Sequence, residues 1–229
     1  MSKLLTFSGL DGAGKTTQIS SLVEYLCTRG LAVRQLTMYD DVSVARRVRQ
    51  FIGRHKSPKT AASPARSRVE STQESQSQMM EFRYDKNRDD FFTVLLRQFV
   101  YLIDLGSFLQ VRRRVSDGSD NFIIMDRYFY DSLANLLTAS STSRHYIRMF
   151  LRIAPQPDLP ILLDIDPQVA FNRKREYPLE YLERRRWAYR SIFSWVSNPL
   201  VVDGGQSPDQ VGELLLSRVQ ALTEKESTT

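Results

Sequence analysis

The chain has little of what builds metal centres, disulfide scaffolds or membrane spans. It holds one cysteine, Cys27, and two histidines in 229 residues. A single cysteine excludes an internal disulfide framework and makes a reducing compartment the default. With so few sulfur and imidazole ligands, no zinc cluster of the usual kind can form. No stretch approaches the ~18 apolar residues of a membrane helix. The opening Met1-Ser2-Lys3-Leu4-Leu5 is too quickly interrupted to serve as a secretory leader. A cytoplasmic protein with no membrane contact is the expectation. Lysine is scarce too, with 7 residues against 25 arginines, in a chain of formal charge +6. Two readings of that bias stand side by side. Arginine's planar fork suits phosphate oxygens, and an arginine-favouring codon usage would give the same count. Nucleic acid is not the expected partner; a small-molecule nucleotide is.

What is present is a strand-and-helix alternation. Leu4-Leu5-Thr6-Phe7 reads as a buried strand, followed by a glycine-rich stretch and a helix with Ile19, Leu22, Val23 and Leu26 on one face. Gly30 marks that helix's C-terminal stop. Leu31 to Leu36 is a second strand, so a parallel βαβ unit opens the chain. Val42 to Ile52 reads as a helix. His55 to Gln78 is rich in Ser, Pro, Gln and charge and has no apolar period, so it reads as a disordered insertion. Asp89 to Val115 returns to helical periodicity through Phe92, Leu95, Leu96, Phe99, Leu102 and Ile103. The apolar runs Phe122 to Met125 and Pro160 to Ile165 are central strands, covered on both faces. Asp166-Pro167 starts a helix, with aspartate as N-cap and proline at the first position. Leu200-Val201-Val202 is the last strand. Ser207-Pro208-Asp209-Gln210 is a capping box, opening a helix with Val211, Leu214, Leu215 and Leu222 inward. The whole reads as one α/β domain over residues 1–229, with no internal repeat.

Gly9, four further residues and Gly14-Lys15-Thr16 form the Walker A pattern. Glycines let successive amides turn toward an anion, and the helix starting near Lys15 points its positive end at the same place. Lys15 supplies a mobile charge to the β/γ-phosphates of ATP, and the Thr16 hydroxyl is a ligand for Mg²⁺. The competing reading is an ordinary glycine turn capping a helix. The loop's position between a strand and a helix favours phosphate.

Four blocks together resemble the thymidylate kinases. These are Gly9 to Gln18, Ile123 to Asn135 (similar to the family's Asp-Arg-Tyr-x-x-Ser-Ser-x-Ala), Pro157 to Arg175, and Val201 to Val211. The resemblance implies a P-loop NTPase fold: a five-stranded parallel sheet, helices on both faces, in three layers. It implies transfer of the γ-phosphoryl of ATP to a nucleoside monophosphate, thymidine monophosphate first, and a homodimer. It also implies roles for residues. Gly9, Asp11, Gly12, Ala13, Gly14, Lys15, Thr16, Thr17 and Gln206 would hold ATP, and Thr16 and Asp126 would hold Mg²⁺. Lys15, Asp126, Arg127, Arg173 and Arg175 would be catalytic. Ala13 leaves the loop without an arginine, so the cation would come from a lid at about residues 172–187, from Arg173 and Arg175 or from Arg184 to Arg186. The competing reading of those runs is a solvated basic helix face.

The acceptor half departs from the family. Thr37-Met38-Tyr39-Asp40-Asp41 stands where the family has Thr-Arg-Glu-Pro-Gly, so the arginine is missing. Arg97 and Tyr101 replace a stacking aromatic and an arginine, and Phe99 could restore the stacking after a small register shift. Asn135-Leu136 replaces Tyr-Gln. The acceptor would meet Tyr39, Asp40, Asp41, Arg97, Phe99, Tyr101, Arg127 and Ser132. Asp40 and Asp41 carry a rival reading: a base toward a nucleoside hydroxyl, as in deoxynucleoside kinases. A non-catalytic nucleotide-binding protein is the third reading.

Overall fold

The structure, a computed structural model, describes residues 2–38, 91–116, 121–139 and 143–227. The helix expected over Val42 to Ile52 and the insertion expected over His55 to Gln78 lie outside the described residues. Five strands and seven helices are described: β1 (Lys3–Gly9), α1 (Lys15–Thr28), β2 (Val33–Thr37), α2 (Phe91–Ser116), β3 (Phe122–Asp126), α3 (Phe129–Ala139), α4 (Arg144–Ile153), β4 (Leu159–Asp164), α5 (Pro167–Arg173), α6 (Leu179–Phe193), β5 (Leu200–Asp203) and α7 (Pro208–Ser227).

The strands form one sheet in the order β2-β3-β1-β4-β5, every pair parallel. β1 is central, with Phe7 opposite Asp126 on one side and Ile161 on the other. Its continuous apolar run is explained by that position, since helices cover both faces and leave no side for water. β2 is an edge, and its side chains are correspondingly half exposed. Because all strands run the same way, their carboxyl ends gather Gly9, Asp126, Asp164 and Asp203 along one rim. Ligands bind at that rim in open parallel sheets.

Local signals hold where the sequence placed them. Gly30 takes φ +75°, its N–H donates to Cys27 O at 2.9 Å and Leu31 N–H reaches Leu26 O at 3.1 Å, which is a Schellman closure of α1. Asp166 caps α5 by accepting from the Gln168 amide at 2.9 Å, with Pro167 next. Ser207 Oγ accepts from the Gln210 amide at 3.3 Å, and Gln210 Oε1 accepts from the Ser207 amide at 3.2 Å, the reciprocal pair of a capping box. One expectation for α7 is corrected. Val211 and Leu215 are buried and Leu222 packs on the core, but Leu214 is exposed, and Val219 takes the inward place. At roughly 100° per residue, Leu215, Val219 and Leu222 cluster on one meridian and Leu214 falls well off it.

The core on the β3 side is aromatic. Tyr128, buried, meets Phe108 edge-on at 5.6 Å and Phe129 at 5.0 Å, and its hydroxyl donates to Pro155 O at 2.6 Å. It therefore fixes the chain immediately after Arg127. In α2, Leu105 and Phe108 face inward, while Phe99, Leu102, Ile103 and Leu109 are exposed.

Candidate active site

The loop after β1 requires its glycines for separate reasons. Gly9 has φ +141°, and a Cβ there would stand 2.4 Å from the Leu163 carbonyl oxygen of β4. Gly14 has φ +88° with open space around it, so only its backbone conformation demands glycine. Gly14 is also the N-cap of α1. It supplies no side-chain acceptor, and no acidic residue lies in the first turn. Helix geometry leaves the first amides of α1 without intrahelical acceptors, so a positive helix end without a side-chain cap faces the loop.

Lys15 is buried, and its ammonium donates to Gly9 O at 2.9 Å and Leu10 O at 2.8 Å, with Asp11 Oδ1 at 4.0 Å. Burial, helped by Arg127, lowers its pKa to about 8, against the pull of Asp131, Asp11 and Asp126. The lysine is thus held along its own loop as a cation that burial works against.

Asp126 ends β3 and Arg127 follows it, beside that loop. Arg127 sits at φ +67°, a left-handed conformation that is costly for a residue with a side chain, while its N–H still donates to Phe7 O at 3.0 Å. Its guanidinium donates to Asp11 and, at 3.3 Å, to Asp131 Oδ1. Asp11 is held below the usual carboxylate range; burial opposes this, and Arg127, Lys15 and Arg185 outweigh it. Asp126 differs. Its Oδ1 is buried and accepts no hydrogen bond among the described residues. Burial raises its pKa, with Asp131 and Asp11 adding to the effect and Lys15 and Arg127 opposing it. A carboxylate oxygen with no donor is the feature a hard cation fills, so the donor set fits Mg²⁺. Among the described residues, no group of three or more His, Cys, Asp or Glu could hold a metal unaided.

Asp131 was not anticipated. It is 0% exposed, and four donors converge on it: Ser8 Oγ at 2.7 Å, the Tyr128 amide at 3.1 Å, Arg127 at 3.3 Å and the Tyr189 hydroxyl at 2.7 Å. The sequence carried one signal for it. Asp131 stands where the resembled segment has its first serine, a charge in an otherwise apolar run.

The arginines after β4 separate into different roles. Arg173 donates to Gly12 O at 3.3 Å and Gly204 O at 3.4 Å, so it lies at the loop. Arg175 is exposed, with its guanidinium 5.9 Å from the Phe171 ring centre. Arg184 donates to Glu180 O at 3.4 Å. Arg186 and Arg190 both bind Asp164 at the end of β4, Arg186 Nε at 2.7 Å and Arg190 Nε at 2.9 Å, holding that carboxyl below its ordinary range against burial. Arg185 is buried with Asn135, Tyr181 and Tyr189.

Of the remaining expected residues, Gly12 and Ala13 lie in the loop, and Thr16 and Thr17 are exposed in the first turn of α1. Gln206 is exposed in the loop before α7. That loop approaches the glycine loop through Gly204, where a Cβ would be 3.4 Å from Ala13 O. Ser132 is buried in α3. Arg97, Phe99 and Tyr101 fall on α2, with Phe99 62% exposed and Tyr101 packed against the core. Tyr39, Asp40 and Asp41 lie outside the described residues.

An all-parallel sheet with a glycine loop feeding a helix at its central strand is the α/β architecture of the P-loop NTPases. No protein-family model matches the chain. Among curated proteins it is 23% identical to a probable thymidylate kinase of Methanosphaera stadtmanae, over 94% of this chain and 96% of that one. It is 24% identical to a probable thymidylate kinase of Archaeoglobus fulgidus, covering 92% and 91%, and 25% identical to a thymidylate kinase of Chlorobaculum tepidum, covering 97% and 99%. The chain is a distant homologue of the thymidylate kinases, and so of nucleotide-kinase enzymes.

Proposed function

We propose that the chain transfers the γ-phosphoryl group of ATP to a nucleoside monophosphate, with thymidine monophosphate the first acceptor to test. The observation that carries this reading is the grouping of three features: an uncapped, glycine-led helix end, the buried Lys15 ammonium, and the unpartnered oxygen of Asp126. The nearly full-length likeness to thymidylate kinases supports it. So does the rim on which these groups stand, where a parallel sheet receives ligands.

In this reading the amides of Gly12 to Thr17 hold the triphosphate, and Lys15 exchanges its two carbonyl acceptors for phosphate oxygens. Mg²⁺, held by Thr16 and Asp126, would supply charge neutralisation between the phosphates. Arg127 orients the acceptor phosphate for in-line attack. Arg173 meets charge that develops on the transferring group, and the segment from about 172 to 187 closes over it and excludes water. The domain is a single kinase unit, and its site is cytoplasmic. A homodimer would cover the apolar stripe Phe99, Leu102, Ile103 and Leu109 that α2 leaves exposed.

A coupled ATPase assay with a panel of nucleoside monophosphates and nucleosides tests the reading. Turnover with a monophosphate is expected. Turnover on nucleosides alone, lost in Asp40→Asn or Asp41→Asn, would favour the hydroxyl-directed alternative. ATP binding with turnover on nothing would leave a nucleotide-binding protein.

A further inference from the structure

α6 carries one arginine whose surroundings differ from those of its neighbours. Arg186 and Arg190 meet Asp164, but Arg185, 8% exposed, has no carboxylate within 4.0 Å among the described residues. Its guanidinium donates only to neutral oxygens: Asn135 Oδ1, the Tyr181 hydroxyl at 2.7 Å and the Tyr189 hydroxyl at 3.2 Å. Those bonds account for three of the five N–H groups a guanidinium owns. The Nε N–H and one on Nη2 have no acceptor among the described residues.

A cation taken out of water without a counter-charge is costly. The nearest negative charge bonded into this group is Asp131, one hydroxyl away, because Tyr189 donates to it at 2.7 Å. Asp131 is already bound by Arg127 at 3.3 Å. Asp131 therefore serves Arg127 directly and Arg185 only through Tyr189, with Asp11 as the second carboxylate on Arg127; what Arg185 offers an anion is its two remaining N–H groups.

Its location tells which anion. Arg173 and Gly204 mark the β4–β5 flank of the glycine loop, whereas Asn135 and Asp131 belong to α3, which follows β3 on the opposite flank. On that flank Thr37 and Met38, at the end of β2, bring no cation. We propose that Arg185 binds the phosphate of the acceptor nucleotide, paired across Asp131 with Arg127, and held in position by Asn135 and Tyr181. This rests on the monophosphate-kinase reading above. It gives α6, whose first half lies within the proposed lid, a substrate contact of its own, so that acceptor binding and closure draw on the same element.

The test is equilibrium binding without turnover on the full chain. Thymidine monophosphate, thymidine and a non-hydrolysable ATP analogue are titrated into the wild type, Arg185→Lys and Arg185→Met. Loss of a charge-assisted contact should weaken monophosphate binding by about 10- to 100-fold in Arg185→Met. Thymidine and the ATP analogue should stay within about twofold, and Arg185→Lys should fall between. Unchanged monophosphate affinity in either variant, with the wild type binding normally, overturns the assignment of Arg185 alone. Equal losses for thymidine and its monophosphate overturn it too, in favour of a purely structural brace. Should Arg185→Met fail to fold, Arg185→Lys decides by the same ratio. A wild type that binds the ATP analogue but no monophosphate removes the function reading first, and this inference with it.

Discussion

The two flanks of β1 solve the same problem, placing charge at a sheet edge, by different means. On the β4–β5 flank each polar group is secured close to its own element or at the solvent boundary. Asp166 caps its own helix, Ser207 and Gln210 cap each other, and Asp164 is met by arginines of which Arg190 is exposed. On the β3 flank the charge is interior. Asp131 draws donors from β1, from the turn before α3 and from α6, and behind it Arg185 has only neutral partners. The first flank is assembled from local backbone rules. The second exists only when three distant segments meet, and it is where the acceptor half of the sequence departs from the family it resembles.

The sharpest way to break this comparison is to remove a carboxylate from each side. Asp131→Asn leaves Arg127 and the Tyr189 hydroxyl facing a neutral amide in the interior, and should cost about 3–5 kcal/mol in a urea titration. Asp164→Asn releases Arg186 and Arg190 toward water and should cost about 1–2 kcal/mol. Equal losses would mean that the two flanks are not built differently. The next largest effect is on chemistry. Lys15→Ala should lower the rate by about 10²–10³-fold with the thermal midpoint unchanged or raised, since the substitution deletes a charge that burial opposes. Near-normal activity would remove the glycine loop from the mechanism. Two glycines then separate close approach from conformation. Gly9→Ala, blocked by the Leu163 carbonyl as well as by its own φ, should cost at least about 2–3 kcal/mol. Gly14→Ala, opposed by φ alone, should cost about 1–2 kcal/mol.

The smallest effect is in pH. Lys15 titrates at about 8 in the folded protein against 10.5 in an open chain. Between those values the unfolded chain binds more protons, so this group makes stability rise with pH across that window. Below pH 8 its unfavourable contribution is fully present. The difference in unfolding free energy between wild type and Lys15→Met should therefore climb from pH 8 to 10.5. ATP-analogue affinity should fall over the same range as the ammonium loses its charge. A flat difference curve would show that Lys15 is solvated as in water.

Much of the architecture was legible because it is periodic or local. The apolar runs of β3 and β4, the Gly30 stop and the two capping signatures each lie within a few residues, and backbone sterics enforce them. The fate of the arginine run was not legible. Arg184, Arg185 and Arg186 are consecutive, yet one lies exposed on the helix, one is buried and one is bound to Asp164. Successive helical positions diverge by roughly 100°, so identical residues take different environments. The partners of Asp131 were not legible for a related reason. Ser8 and Tyr189 lie 123 and 58 residues away.

By itself the sequence determined the alternation of strands and helices and the glycine loop with its lysine, because these follow from hydrophobic period and from backbone angles that few residues can adopt, while the five-stranded parallel plan came from the resemblance to a known family. Only the tertiary structure decided which charges became neighbours. Coulomb and desolvation energies depend on distance through space and on exclusion of water, and neither quantity is written along the chain.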